Sequence, residues 1–168
     1  MPPTAAAARA PVITDAKSVL GLAGFIVLCF SAAAFGSQFT PGDWYAALKK
    51  PSWNPPNWIF GPVWSALYTM MAVAAWLVWR RGGFNLNRLP LSLFLSQLLL
   101  NALWSWLFFG LKNPALAFGE ILILWLSICG TIVVFWPRQR VGAWLLVPYL
   151  GWVSFAALLN FTLWQLNR

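Results

Sequence analysis

The sequence predicts an all-α membrane protein built as a bundle of five transmembrane helices. Of its 168 residues, 61% are hydrophobic and only 8% charged, which is more apolar surface than one water-facing core can hide. The apolar residues gather in five runs, each long enough to cross about 30 Å of hydrocarbon at about 1.5 Å per residue. The basic residues lie between those runs, where lipid head groups wait.

Residues 1–17, "MPPTAAAARAPVITDAK", show neither a short apolar core with a cleavage site nor an Arg-rich amphipathic pattern, and are expected to form a disordered tail. The apolar runs cover about 18–37, 58–79, 89–109, 115–136 and 141–165. The connectors "RRGGFNLNR", "LKNP" and "PRQR" are short and carry Gly, Asn or Pro, as antiparallel neighbours require. Only the first connector, residues 38–57, is long. Its stretch "KKPSWNPPNW" combines prolines, which lower the entropy lost on ordering, with flat tryptophans, and reads as a lid. In the fifth run Pro148 removes a backbone hydrogen bond and is expected to bend the helix.

Five crossings put the termini on opposite sides. Arg9, Lys17, Arg80, Arg81, Arg88, Arg138 and Arg140 fall on the N-terminal side, against Lys49, Lys50, Lys112 and Arg168 on the other. That bias predicts a cytoplasmic N-terminus and an outward lid.

A net charge of +8 would suggest nucleic acid in a water-soluble chain, but basic residues spaced between apolar runs exclude that reading here. The sequence has no histidine, which removes the commonest base and metal ligand. Cys29 and Cys129 lie singly inside apolar runs and read as packing residues. No metal site is expected, and no cofactor is required.

Sorting the polar and aromatic residues by depth locates a candidate site. Trp76, Trp79, Trp136, Trp144 and Trp164 fall near run ends, as an interfacial belt would; Trp64, Trp104 and Trp152 lie further in. Gln97, Asn101 and Ser105 share one helix face, which either bonds to a neighbouring helix or lines a cavity. Glu120 is an intramembrane acid, functional by default, or else a protonated carboxyl bonded to a neighbour.

Counted from the outer side, Trp64 lies at about 9 Å, Asn101 at about 12 Å, Glu120 and Asn160 at about 8 Å and Trp152 at about 20 Å. The polar groups thus converge beneath the lid. Tyr149, Trp152, Ala156 and Asn160 share a face of the fifth run, with Ala156 leaving room between large neighbours. Trp64, Tyr68, Met71 and Ala75 form a similar face on the second, which core packing explains equally well. Such a pocket suits a flat, mostly apolar ligand with polar edges.

Three stretches, "WYAALKKPSWNPPNWIFGPVWSALY", "QLLLNALWSWLFFG" and "WLLVPYLGWVSFAALLN", are similar in order and spacing to the signatures of the translocator protein family, also called tryptophan-rich sensory proteins or peripheral-type benzodiazepine receptors. The resemblance covers roughly residues 20–165. It implies five transmembrane helices, a homodimer, and a loop-capped pocket for porphyrins such as protoporphyrin IX, for sterols in animal members, and for synthetic isoquinoline carboxamides and benzodiazepines. By motif it implies Tyr45, Pro55, Trp64, Asn101, Ser105, Trp152 and Ala156 as pocket residues. For bacterial members, in the cell membrane, it implies tetrapyrrole-linked regulation, and light-driven porphyrin breakdown with a tryptophan at the Trp152 position. The animal sterol motif needs a tyrosine where this chain has Phe161, so sterol recognition is not expected. Ser92 and Ser96 keep the small-residue spacing of the family's dimer face.

Three functions remain open on these grounds: a tetrapyrrole-binding protein, a light-dependent porphyrin-degrading enzyme that uses Trp152, and a partner protein whose aromatics serve only packing.

Overall fold

The computed structural model describes residues 15–39 and 41–168. The expected N-terminal tail lies outside the described residues except for its last three, which are already helical. Eight α-helices follow in order: α1 (Asp15–Gly36), α2 (Asp43–Ala47), α3 (Phe60–Trp79), α4 (Gly83–Leu86), α5 (Arg88–Ser105), α6 (Pro114–Phe135), α7 (Arg140–Leu145) and α8 (Val147–Leu166). Five segments are long and apolar enough to span a membrane: Ala16–Gly36, Asn57–Trp79, Arg88–Gly110, Pro114–Phe135 and Arg140–Leu166.

These spans close into a ring. α1 packs between α3 and α5, α5 against α6, α6 against α8, and α7 returns to α3. Because the outer face meets lipid, it is as apolar as the interior: Leu99, Leu122, Ile123, Leu126, Val133 and Leu158 all point outward. The core is a column of Phe25, Met71, Phe94, Leu124, Phe135, Leu146 and Tyr149 with small residues Ala72, Ala74 and Ala75 on α3. Those alanines let α7 approach closely: a side chain on Gly142 would meet the Ala74 carbonyl at 3.1 Å.

Local chemistry shapes the spans. The fifth one breaks at Leu146, between α7 and α8, so that Pro148 enters α8 in its first turn, where its missing N–H costs nothing. The third ends in a π-helical turn, Trp106–Gly110, closed by Leu111 N–H donating to the Trp106 carbonyl at 2.8 Å. That wider turn turns Leu107 and Phe108 inward beneath the first connector. Asn113 caps α6 by accepting from Leu116 N–H at 3.0 Å, with Pro114 as its first residue.

At the opposite end, Gly82 takes a left-handed φ of 99° to turn the chain into α4. Asn87 then ties that turn together by donating to the carbonyls of Arg81 at 2.8 Å and Gly83 at 3.0 Å.

Two of the end-of-span tryptophans are not belt residues. Trp76 donates from Nε1 to the Ser18 carbonyl at 2.8 Å, and Trp79 lies on Gly21 and against Phe25. Both indoles are turned inward to fasten α1 to α3, a choice of face that depth alone does not reveal. Trp136 and Trp144 pair at 5.7 Å on the exterior, as a belt requires.

Candidate ligand cavity

Between α1, α3, α5 and α8, at the end of the bundle under the long connector, lies a cavity of about 580 Å³, the size range of drug-like and cofactor ligands. α6 contributes no residue to its wall, because it sits behind α5 and α8. Tyr45, Trp64, Asn101, Ser105, Trp152, Ala156 and Asn160 all line it, together with aromatic rings from Phe60, Tyr68, Trp104, Phe108 and Phe155. No charged residue among those described lines it.

The aromatic walls are mutually braced. Trp64 lies on Tyr68 at 5.4 Å, Trp152 meets Phe60 at 5.8 Å and Phe155 at 5.4 Å, and Trp104 stacks on Phe108 at 5.1 Å. Each contact fixes the tilt of an indole facing the cavity. Ala156 leaves a gap on α8 between these rings, and the small residues Ala33, Ala34 and Gly36 do the same on α1. A side chain on Gly36 would reach Ser105 Oγ at 3.1 Å, so the glycine keeps the α1 wall back from α5.

Three polar groups aim at the cavity. The Tyr68 hydroxyl donates to Asn101 Oδ1, which orients the amide. Asn160 Oδ1 accepts from Trp104 Nε1 at 3.0 Å, and its Nδ2 donates to the Pro114 carbonyl at 2.7 Å. Asn160 is therefore a clasp joining spans three, four and five. Ser105 stands at the α1 side.

The lid is built over this opening. Tyr45 on α2 is buried against Phe108 at 6.3 Å and Phe109 at 5.6 Å, and its hydroxyl donates to Asn54 Oδ1 at 3.3 Å. Burial raises its phenol above the ordinary range, and its hydrogen bond to Asn54 draws it partly back. Trp53 reaches over to Phe155 at 5.9 Å. Lys50 lies 4.8 Å over the Tyr45 ring while its ammonium donates to the carbonyls of Ala46 and Leu48, so it braces the lid itself.

Four of the residues read from the sequence do not line the cavity. Pro55 sits within the lid, where its carbonyl accepts from Asn54 Nδ2 at 3.0 Å. Gln97 lies one turn below Asn101, buried in the bundle, and Tyr149 is wholly buried behind Trp64. Glu120 is on α6, outside the wall. The depth count had placed Glu120 level with Asn160, yet Asn160 bonds to Pro114, six residues before Glu120. At about 1.5 Å per residue, Glu120 is about 9 Å deeper. The physical reason is that α8 runs on past the start of α6, so the span ends are not level.

Tyr68, Trp104, Phe60, Phe108 and Phe155 are among the wall residues that sequence reasoning left unassigned. Tyr68 was visible on a face that core packing explains equally well, and Trp104 only as a tryptophan inside its span. Asn167, the residue just past the end of α8 at Leu166, bonds to Lys49 in the lid and carried no sequence pattern.

A model of the TspO/MBR family matches residues 25–165. The chain is 44% identical to a tryptophan-rich protein TspO of Chlorobaculum tepidum, over 90% of this chain and 98% of that one. It is 42% identical to the protein CrtK of Rhodobacter capsulatus, over 85% and 90% respectively. It is also 38% identical to the human translocator protein, over 86% and 89%.

Proposed function

The chain belongs to the TspO/MBR family of integral, multi-pass membrane proteins, and from that premise we propose that it binds a protoporphyrin IX-type tetrapyrrole in order to sense, sequester or move it. The observation that carries this reading is the lidded cavity of about 580 Å³, walled by Trp64, Tyr68, Trp104 and Trp152 and given a polar edge by Asn101 and Ser105. Aromatic faces suit a flat macrocycle, and the amide suits its polar rim.

The excess of basic residues at the end opposite the lid supports an N-terminus in the cytoplasm of a bacterial cell and a cavity that opens outward. Ser92 and Ser96 are exposed on α5 and leave its backbone open to a second copy. Disulfide capture of Ser92→Cys in native membranes tests that homodimer.

Protoporphyrin IX titrated into the protein in bilayers should quench tryptophan fluorescence saturably, and Trp64→Ala or Asn101→Ala should each weaken the curve severalfold. Unchanged curves in both variants would overturn the proposal.

Trp152 favours a second reading, because its indole faces the cavity between Phe60 and Phe155. A porphyrin excited by light would take one electron from the adjacent indole, giving a porphyrin radical anion and an indole radical cation, and opening of the ring to a bilin would consume dissolved dioxygen as the oxidant. Bilin-like products formed in light by the wild type, and lost in Trp152→Phe, support that activity. Equal yields in both remove the tryptophan from it.

A further inference from the structure

Behind the cavity floor, the bundle centre holds five buried polar atoms without a hydrogen-bond partner: both amide atoms of Gln97, both carboxyl oxygens of Glu120 and the hydroxyl of Tyr149. Gln97 is 1% exposed, Glu120 7% and Tyr149 0%. A polar atom that stays unpaired in the interior destabilises the fold, because it has given up its bonds to water. Five in one region therefore point to something that bonds them.

The helix register brings Gln97 and Glu120 to one level. Asn160 binds both Trp104 on α5 and Pro114 on α6, which makes those two residues level. Gln97 lies seven residues back from Trp104 and Glu120 six residues on from Pro114, so both fall about 9–10 Å deeper on helices packed against each other. The Tyr149 hydroxyl approaches Asn101 and lies within electrostatic reach of Glu120, Tyr68 and Cys29. Tyr149 on α8 is thus the titratable group beside Glu120, while Tyr68 on α3 and Cys29 on α1 adjoin Tyr149.

No lysine or arginine is among the buried residues described, so an ionised Glu120 would have no counter-charge. We propose that Gln97, Glu120 and Tyr149 form a second, polar site beneath the ligand cavity, which holds a proton on Glu120 and at least one water that bridges the three side chains. Donors and acceptors are then both present: a neutral carboxyl donates one hydrogen bond and accepts at its other oxygen, the Gln97 amide donates two and accepts at its oxygen, and the Tyr149 hydroxyl and a water each do both. Asn101 joins the two sites, since it faces the cavity and also adjoins Tyr149. Filling the cavity should therefore disturb the proton site; this coupling rests on the tetrapyrrole reading.

Glu120 is the only glutamate in the sequence, so labelling with glutamate carrying carbon-13 in its side-chain carboxyl marks it alone among the acids. Infrared spectra of the full-length protein in bilayers at neutral pH should show an isotope-shifted carboxylic acid band that moves in deuterium oxide and vanishes in Glu120→Gln. Gln97→Leu and Tyr149→Phe should each shift the band upward, as a lost hydrogen bond requires. Absence of the acid band, or a carboxylate band that responds to exchange of sodium for potassium, overturns the proposal, as does a band that neither substitution moves. Addition of protoporphyrin IX should shift the band as well. A still band alongside saturable tryptophan quenching refutes the coupling alone, whereas no quenching refutes the tetrapyrrole reading.

Discussion

Asn167 holds the peptide of Lys49 from both sides: Lys49 N–H donates to Asn167 Oδ1 at 2.9 Å, and Asn167 Nδ2 donates to the Lys49 carbonyl at 3.0 Å. One amide thus mimics a strand partner for a single lid residue. The same Nδ2 also donates to the Leu163 carbonyl at 2.8 Å, which ties the clasp to the end of α8. The lid is in this way fastened to the span that carries Trp152 and Ala156.

Asn167→Ala should loosen the lid without altering the cavity walls. The bonds lie at the surface, so their loss is worth about 1 kcal/mol and should speed ligand release roughly fivefold. Stopped-flow release of bound protoporphyrin IX reads this directly. Faster hydrogen exchange across residues 41–57 should accompany it.

Asn160→Leu removes the clasp among three spans and leaves Trp104 Nε1 unpaired. Interhelical bonds of this kind contribute roughly 1–2 kcal/mol in a membrane. The unfolding midpoint in a denaturing-detergent titration should fall accordingly. Trp125→Phe, which removes only the exposed bond from Trp125 to Ser154, should cost less.

Gly21→Ala places a methyl group into the Trp79 ring. Overpacking of this type costs about 1–3 kcal/mol, and here it should weaken the seam between α1 and α3. Thermal unfolding should occur at lower temperature, and the double variant Gly21→Ala with Trp79→Leu should recover part of the loss.

Tyr45 makes the lid sensitive to alkali. Its phenol is raised by burial in the folded protein, so the folded state prefers the neutral form and its contribution is fully present below the ordinary tyrosine range. The contribution is lost as pH rises through the raised value. Exchange protection of the lid should stay level through neutral pH and fall only in strong alkali, and Tyr45→Phe should abolish that fall.

The five spans were legible because bilayer thickness sets a minimum apolar length, and each run met it. Much of the cavity was legible too. Trp64, Asn101, Trp152 and Ala156 sit one or two turns from other inward residues, so period and depth select them. Glu120 shows where that method ends. Its distance from its own span's end was right, but the ends of α6 and α8 are offset, and only the Asn160 to Pro114 bond reveals the offset. Trp76 and Trp79 show the same limit for direction. On a helix that is apolar all round, nothing in the pattern separates the lipid face from the protein face.

The sequence by itself determined how many times the chain crosses the membrane, where the crossings lie and which short stretches mark the family, because span length and motif spacing are properties of consecutive residues. Only the tertiary structure decided that α6 is excluded from the cavity, that Asn160 and Asn167 are clasps, and that the polar atoms of Gln97, Glu120 and Tyr149 are buried without a partner. Those facts depend on the register and rotation of each helix against its neighbours. In a membrane that choice is made by close packing and by hydrogen bonds between residues far apart in the chain, not by burial away from water.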